Sequence, residues 1–290
     1  MRRVHLSRTL PALLLAFAAT TTRAHAAGCD RECLRGFVTQ YLSAMVAHNP
    51  AALPLAADAR FTEDTATMKL GEGLWKKASG LRSYRQDILD VREGVASSQV
   101  IAEEAGSPVM LVLRLKISEN KITEIETQVT RSRAEGAIFN IDAIKTPGKA
   151  MGVVPEKSQL ASREEAVRIA QLYPAGLKIG SFVTVNAPFA PDAYRIENGT
   201  ITAGIGCSRA GCENMQTQTI MKHPAITTRV AAVDEEMGIV LLRMNFGDTG
   251  SYGPGNALVV WEAFKVYGGQ IHAVEAFMRV MPAGAGSGWD

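Results

Sequence analysis

The sequence predicts an α+β protein that contains the same unit twice. Two pairs of matched segments support a repeat: Lys121–Glu126 (KITEIE) matches Gln270–Glu275 (QIHAVE) at an offset of 149 in the numbering, and Asp58–Glu63 (DARFTE) matches Asp192–Glu197 (DAYRIE) at an offset of 134. Each half therefore has one glutamate early and one late. The order of elements agrees, because an amphipathic helix pattern opens each half and strand patterns follow it. A helix followed by an antiparallel meander is an α+β unit.

Residues 1–26 are predicted to be a cleaved export signal. Arginines at positions 2, 3 and 8 precede an apolar run over 10–19, and Ala24-His25-Ala26 offers small residues for cleavage. The run is shorter than the roughly 20 residues that span a bilayer. No later segment has that length and character, so we expect a soluble protein of the periplasm or the extracellular space. A lipoprotein acylated at Cys29 is the alternative.

The charge balance gives no reason to expect a nucleic-acid partner. The chain has 31 basic and 29 acidic residues, for a net charge of +2, and several of the basic residues belong to the predicted signal. Nucleic-acid-binding domains normally show a clear excess of positive charge. Hydrophobic residues make up 47% of the chain, which is ample for a core, and the mature length suits two modest domains.

Four cysteines follow the predicted signal, and we expect them to form two local disulfides. An even number of cysteines in an oxidising compartment favours disulfides, and Cys29 with Cys33 and Cys207 with Cys212 is the simplest of the three possible pairings. A four-cysteine zinc site is the alternative, but both spacings are wider than the usual two-residue gap. We therefore predict no metal site.

In the first half, a helix is predicted over 34–46, where apolar residues recur at steps of three and four, and it ends before Pro50. A strand is entered near Phe61. Glycines around Trp75 predict a loop, with a short helix over 81–88. Strands are predicted at 98–102, 109–117 and 122–130. The first domain is predicted to span 29–147.

The second half repeats this order. A helix is predicted from Arg163 to Tyr173, with Ser162 and Glu165 in the pattern of a capping box. The predicted strands are 227–233, 239–246, 258–266 and 271–280. The interval between the two glutamates is 63 in the first half and 78 in the second, and we expect the difference of 15 to hold one additional strand and turn. The second domain is predicted to span 159–283, and a flexible tail to follow over 284–290.

The order of these elements resembles the nuclear transport factor 2-like superfamily, which includes the SnoaL-like domains. The resemblance lies in the Asp-Ala-x-Phe or Asp-Ala-Tyr-Arg entry into a strand and in a meander that ends in Asn120-Lys121-Ile122 or Gly-Gly-Gln270-Ile271. It covers nearly all of 29–281. The first half also looks like a secreted, uncharacterised domain of fungi and bacteria that tends to occur in pairs.

The resemblance implies two tandem cone-shaped, cystatin-like α+β barrels, each a curved antiparallel sheet wrapped around a helix. An apolar cavity lies at the open end of such a cone. Members of the superfamily include ketosteroid isomerase, scytalone dehydratase, limonene epoxide hydrolase and polyketide cyclases, beside many non-enzymatic binders. No complete catalytic set of theirs matches this chain residue by residue.

Glu197 and Glu275, with Arg195 and His272, are the candidate catalytic residues. In a dry cavity the pKa of a carboxyl rises towards neutrality, so the group can transfer protons. Arg195 lies on the same strand face as Glu197, where it either forms an ion pair or anchors an anionic or carbonyl oxygen of a substrate. His272 is either a hydrogen-bonded core residue or a catalyst.

Tyr194, Trp261, Trp75, Glu63 and Glu126 are the candidate ligand-binding residues. The aromatic side chains suit a pocket for an aromatic ligand, although aromatic residues mostly build cores. Glu126 has a second interpretation as part of a solvated strand face.

Two further positions receive surface roles from the sequence. His223 precedes Pro224 in a loop and is interpreted as ordinary surface. Asn198-Gly199-Thr200 is a glycosylation sequon, which matters only in a host that glycosylates exported proteins.

The absence of a nucleotide-binding loop, a nucleophile elbow or a paired metal motif in the sequence argues for a protein without a cofactor. We expect an exported protein that binds a small hydrophobic or aromatic molecule, without nucleic acid and without stable membrane insertion. A cofactor-free lyase, dehydratase or isomerase of a small carbonyl compound, with Glu197 or Glu275 as base, is the alternative. An internal pseudo-dimer and a homo-oligomer both stay open.

Overall fold

A computed structural model describes residues 29–286 and Trp289. The predicted export signal lies outside the described residues, as does part of the predicted tail. The described chain is mostly β, with twelve strands in two six-stranded sheets and few helices.

The first unit opens with helix α1 (Arg31–Val46), whose N-terminus is capped by the Asp30 side chain accepting the Cys33 N–H. The strands that follow are β1 (Leu55–Glu63), β2 (Ala66–Thr67), β3 (Ala78–Asp90), β4 (Val95–Glu104), β5 (Ser107–Ser118) and β6 (Lys121–Thr130). Their order in the sheet is β2-β1-β6-β5-β4-β3. Neighbouring strands are antiparallel except β1 and β6, which are parallel.

The second unit has the same connectivity. A short helix, α2 (Arg133–Gly136), precedes the long helix α3 (Arg163–Ile179). The strands are β7 (Phe189–Glu197), β8 (Thr200–Gly204), β9 (Thr227–Asp234), β10 (Ile239–Asn245), β11 (Asn256–Tyr267) and β12 (Gln270–Pro282). Their order is β8-β7-β12-β11-β10-β9, with β7 and β12 parallel.

Strand register confirms the tandem repeat. In the first sheet Thr62 lies opposite Glu126, and in the second Ile196 lies opposite Glu275. These two pairs are related by the same offsets, 134 and 149, that relate the matched sequence segments. The repeated motif is thus a parallel pair formed by the first and last strands of each unit.

The predicted fold class, two cone-shaped α+β barrels with an antiparallel sheet wrapped around a helix, is wrong. Each unit is mostly β, and its sheet is mixed because it contains one parallel pair. The helix packs on one face of the sheet, while the other faces of the two sheets pack on each other. Strand β11 explains this arrangement: Val260 and Phe264 face the core under α3, whereas Trp261 and Ala263 enter the core between the sheets. A sheet with two apolar faces is a central layer with a partner on each side.

Two local predictions are also wrong. The segment 81–88, predicted as a helix, belongs to strand β3, where Tyr84, Gln86 and Ile88 are buried at the two-residue period of a strand. In the described chain the second sheet has no additional strand, because both sheets contain six. The longer interval in the second unit comes mainly from the irregular segment 205–226, which joins β8 to β9 where the first unit has only 68–77.

Both predicted disulfides are present. The Cα atoms are 5.2 Å apart in the Cys29–Cys33 bridge and 6.0 Å apart in the Cys207–Cys212 bridge. Such bridges are compatible with an oxidising compartment. Among the helices that the structure describes, none has both the length and the apolar character needed to cross a membrane.

Reciprocal ion pairs link the two units. Arg163 donates to both carboxylate oxygens of Asp90, at 2.9 and 2.7 Å, and Arg31 donates to Asp234 at 2.5 Å. Each aspartate also accepts a backbone N–H from the opposite unit. The helix N-terminus of each unit is therefore tied to the end of a strand of the other unit.

Candidate ligand-binding cavity

The second unit contains a cavity of about 280 Å³ between α3, the sheet and the segment 205–226. Its wall is mixed in character, and its apolar side chains include Leu177 from α3, Phe246 after β10 and Met278 from β12. Polar groups enter this wall at Arg195 and Glu197 on β7 and at several positions of the covering segment. A concave site that combines apolar surface with convergent polar groups can hold and orient a small molecule.

Arg195 is held in place inside this cavity by fixed hydrogen bonds. Its Nη1 donates to the Tyr173 hydroxyl at 2.9 Å and its Nε to Thr202 Oγ1 at 2.8 Å. Its Nε also lies 3.5 Å from a carboxylate oxygen of Glu197. Arg195 is only 8% exposed. The guanidinium is thus oriented before any ligand arrives, as preorganised recognition of an oxygen atom requires.

Glu262 on β11 belongs to the same polar cluster, and the sequence interpretation missed it. Its side chain is 2% exposed and lies on the α3 side of the sheet with Val260 and Phe264. Burial raises its pKa to about 8, the negative charge of Glu197 adds to this, and Arg195 and a hydrogen bond with Tyr173 oppose it. The sequence did contain a signal for its burial: Glu262 is an acidic residue within an apolar strand, at a position in register with the core-facing residues.

His223 was interpreted as ordinary surface, and this interpretation is wrong. It is 6% exposed and lines the cavity. Its backbone N–H donates to the Leu177 carbonyl at 2.8 Å, and its ring meets the Phe246 ring edge-on at 4.7 Å. Burial lowers its pKa. Nδ1 is buried and has no hydrogen-bond partner among the described residues, a situation that costs about 1 to 3 kcal/mol until a partner is supplied.

In the first unit, Trp75 occupies the space that corresponds to this cavity. Tyr41 on α1 is the counterpart of Tyr173 on α3, the long helix of the other unit. The Trp75 Nε1–H donates to the Tyr41 hydroxyl at 2.7 Å, and the two rings pack edge to face at 5.2 Å. Trp75, predicted to bind a ligand, is therefore 1% exposed and part of the core.

Glu63, another predicted ligand-binding residue, is likewise engaged within the first unit. Both of its carboxylate oxygens accept the backbone N–H of Leu74, at 3.1 and 2.9 Å. Arg131 lies 3.6 Å away. Burial raises the pKa of Glu63 to about 7. These contacts connect the Glu63 side chain to the turn that carries Trp75.

Glu126 and Trp261 lie at the junction between the units. Glu126 is 3% exposed, so its interpretation as a solvated strand face is wrong. Arg229 Nη2 donates to both of its carboxylate oxygens at 2.7 Å, and Arg243 and Arg114 lie 3.6 and 3.8 Å away. Burial raises its pKa, and the arginines oppose this shift. Trp261 packs in the core between the sheets, with the Arg229 guanidinium 5.6 Å from its ring.

The four predicted catalytic residues do not converge on one site. Arg195 and Glu197 face the cavity under α3, whereas Glu275 faces the junction, where it accepts the Tyr194 hydroxyl at 3.2 Å. Tyr194 and Arg195 are neighbours on β7, and adjacent strand residues point to opposite faces. His272 lies away from both groups, with its Nε2 3.1 Å from the Tyr267 carbonyl and its ring stacked on the Tyr267 ring at 3.6 Å.

The sequon asparagine has a structural role in this fold. Asn198 is fully buried, and its side-chain NH₂ donates to the carbonyls of Gly136, Ile138 and Met278, at 3.3, 2.9 and 3.0 Å. It ties the segment after β6 to β12 and is inaccessible to a glycosylating enzyme in the folded chain. Among the described residues, no group of three or more histidine, cysteine or acidic side chains is placed to hold a metal ion.

Comparisons with known proteins give one family match. Residues 159–278 match a family described as "Domain of unknown function (DUF8021)". The sequence pattern placed the resemblance to an uncharacterised domain mainly in the first half, whereas this match lies in the second. No curated protein matches the chain. One similar solved structure is described as "Crystal structure of a de novo designed protein with curved beta-sheet", with 20% identity over 35% of this chain and 88% of that chain and a TM-score of 0.30.

Proposed function

We propose that this chain is an exported protein that binds one small, largely hydrophobic molecule in the cavity of the second unit, and that the molecule presents a carbonyl or carboxylate oxygen to Arg195. The observation that carries the proposal is Arg195, whose buried guanidinium is fixed by Tyr173 and Thr202 in the wall of the cavity. The two disulfides support export.

The size of the cavity limits the ligand. An apolar cavity of about 150 Å³ holds a benzene ring, and the cavity here measures about 280 Å³. It therefore suits a molecule of about two fused rings with one polar substituent. The proposal concerns one pocket in place of the expected tandem pair, because Trp75 fills the corresponding space of the first unit.

Thermal unfolding with three probes of equal size tests the proposal: 2-naphthoate, 2-acetylnaphthalene and naphthalene. At a ligand concentration of 100 times Kd, binding stabilises the folded state by about 2.7 kcal/mol, which raises Tm by roughly 5 °C or more for a chain of this size. We expect the two oxygen-bearing probes to stabilise the protein more than naphthalene. If none of the three raises Tm, the proposal is wrong.

Two tryptophan variants identify the site. Ile220→Trp adds volume at the cavity wall, whereas Ile205→Trp adds the same volume at a position of the same segment that is 60% exposed and outside the lining. We expect the probes to stabilise Ile205→Trp as they do the wild type, and to lose their effect on Ile220→Trp. Equal stabilisation of both variants would place the binding elsewhere.

A second function, acid-base catalysis, is favoured by the two carboxyl groups around Arg195. Glu197 lines the cavity, while Glu262 lies behind Tyr173 with a pKa of about 8 and is protonated at pH 7. Two carboxyls held in different environments can act as the base and the acid of one reaction. In this proposal Arg195 holds a carbonyl oxygen, Glu197 removes the adjacent carbon-bound proton, and the Tyr173 hydroxyl, reprotonated by Glu262, returns a proton at another carbon. The cycle closes when Glu197 releases its proton to solvent in the cavity and Glu262 regains one through Tyr173.

The catalytic proposal has its own test. Mass spectrometry of two-ring unsaturated ketones incubated with the protein should show isomerised product. We expect Glu197→Gln to abolish product formation while probe binding, measured by thermal shift, is retained. Product formation by Glu197→Gln at the wild-type rate would remove Glu197 as the base and leave the binding proposal intact.

A further inference from the structure

A second cavity, of about 180 Å³, lies on the opposite face of the second sheet. Tyr84 from β3, Ile144 from the segment between the units, and Ile196, Glu275 and Phe277 from the second sheet contribute to its lining. The Tyr84 and Phe277 rings are stacked at 5.7 Å. Ile201, which is 42% exposed, also lines it beside the exposed Ala143 and Thr146, so this side opens to solvent. The cavity is independent of the one under α3, because alternate residues of β7 and β12 face the two cavities.

Glu275 is the charged group of this cavity, and among the described residues it has no cationic partner. It is 4% exposed. Its Oε1 accepts the Gly148 N–H at 2.8 Å and the Tyr194 hydroxyl at 3.2 Å, and Tyr84 hydrogen-bonds it as well. Neither the lining of the cavity nor the ion pairs within the described part of the chain place a lysine, arginine or histidine against its carboxyl. Buried charges in proteins are normally paired.

Comparison of the two units shows that Glu275 lacks the arginine neighbours that its counterpart has. Glu126, its counterpart in the first unit, is surrounded by Arg114, Arg229 and Arg243. Strand register identifies the equivalent positions around Glu275. Arg114 pairs with Glu126 across β5 and β6 as Ala263 pairs with Glu275 across β11 and β12.

The positions equivalent to Arg229 and Arg243 also hold uncharged residues. Arg243 pairs with Arg229 across β10 and β9, and the equivalent pair across β4 and β3 is Gln99 with Gln86. By strand register, the three cationic side chains near Glu126 thus correspond to two glutamines and an alanine. The same buried carboxyl has an internal counterion in one unit, while in the other it faces an apolar cavity.

We propose that this junction cavity binds a small organic cation, an arylalkyl primary amine of about the size of benzylamine, whose ammonium group pairs with Glu275. The volume supports this size, since an apolar cavity of about 150 Å³ holds a benzene ring and this one measures about 180 Å³. The stacked Tyr84 and Phe277 rings offer aromatic surface to the ring and to the ammonium group. The carboxylate and the tyrosine hydroxyl oxygens accept its N–H bonds.

Isothermal titration at pH 8 with benzylamine, benzyl alcohol and ammonium chloride tests the inference. Burial raises the pKa of Glu275 to about 7, so its carboxyl is ionised at this pH. We expect benzylamine to bind and benzyl alcohol, which has the same shape without the charge, to bind at least about tenfold more weakly. Equal binding of the two, or an equal effect of ammonium chloride, would overturn the proposal of an organic cation.

Two variants locate the site and guard against misfolding. Glu275→Gln keeps the shape of the side chain and should weaken benzylamine binding at least about tenfold, whereas Glu213→Gln removes an exposed carboxyl of the same unit and should leave it unchanged. Ile201→Trp fills the exposed side of the cavity without touching the core and should also prevent binding. Unaltered affinity in Glu275→Gln and Ile201→Trp would refute the site. The outcome is separate from that of the naphthalene probes, which concern the cavity under α3.

Discussion

Glu262→Gln is expected to make the stability of this protein less sensitive to alkaline pH. The carboxyl is 2% exposed, and burial raises its pKa to about 8 from an ordinary value of 4.5. In the unfolded chain the group ionises near its ordinary pKa, so between pH 4.5 and 8 the unfolded state has lost a proton that the folded state keeps. The unfolding free energy therefore falls as pH rises through this window and levels off above pH 8.

The difference between the folded and unfolded pKa values of Glu262 determines the size of this change in unfolding free energy. Each pKa unit corresponds to about 1.36 kcal/mol, so the full loss caused by Glu262 is up to about 5 kcal/mol, of which about 3 kcal/mol has occurred by pH 7. Glutamine has the shape of the protonated acid and does not titrate. The variant should therefore match the wild type near pH 5 and become progressively more stable than it up to pH 9.

Urea unfolding of the wild type, Glu262→Gln and Glu213→Gln at pH 5, 7 and 9 measures this difference. The other buried glutamates titrate in all three proteins, so subtraction isolates the contribution of Glu262. Glu213 is exposed, and its substitution should leave the pH profile of the wild type unchanged. A stability difference between Glu262→Gln and the wild type that is constant from pH 5 to pH 9 would show that Glu262 is not held in a desolvated site.

Three further predictions concern the core, the junction and the covering segment. Trp75→Ala should lower the unfolding free energy by about 3 to 5 kcal/mol in urea titrations, because it opens a cavity against Tyr41; a loss below about 1 kcal/mol would contradict the packing. Asp90→Ala and Asp234→Ala should each lower the unfolding free energy in urea titrations by roughly 3 to 5 kcal/mol. The two losses should be similar, since both aspartates join the units in the same way; markedly unequal losses would argue against reciprocal contacts. Replacing both Cys207 and Cys212 with serine should lower the unfolding free energy by about 2 kcal/mol and direct limited proteolysis to 205–226. An unchanged cleavage pattern would show that the bridge does not hold this segment in place.

The sequence alone was sufficient for features that depend on local periodicity and spacing. The constant offsets between the matched segments predicted the repeat, and the register of Thr62 with Glu126 and of Ile196 with Glu275 confirms it. The short-range disulfides, strands β4 to β6 and strands β9 to β12 were predicted for the same reason. Strand β3 was missed because nearby glycines suggested a loop, although Tyr84, Gln86 and Ile88 follow the two-residue period of a strand.

The surroundings of each acidic side chain were decided by the tertiary structure. Glu126 and Glu275 occupy the same place in the repeat, but part of the surroundings of each comes from strands of the other unit, far away in the chain. Arginines supply the counterions of Glu126, whereas Glu275 faces an open cavity. Likewise, Glu262 meets Arg195 and Tyr173 only when β11, β7 and α3 pack together. Desolvation and charge pairing depend on distances in space, so spacing along the chain identified the glutamates but not their chemistry.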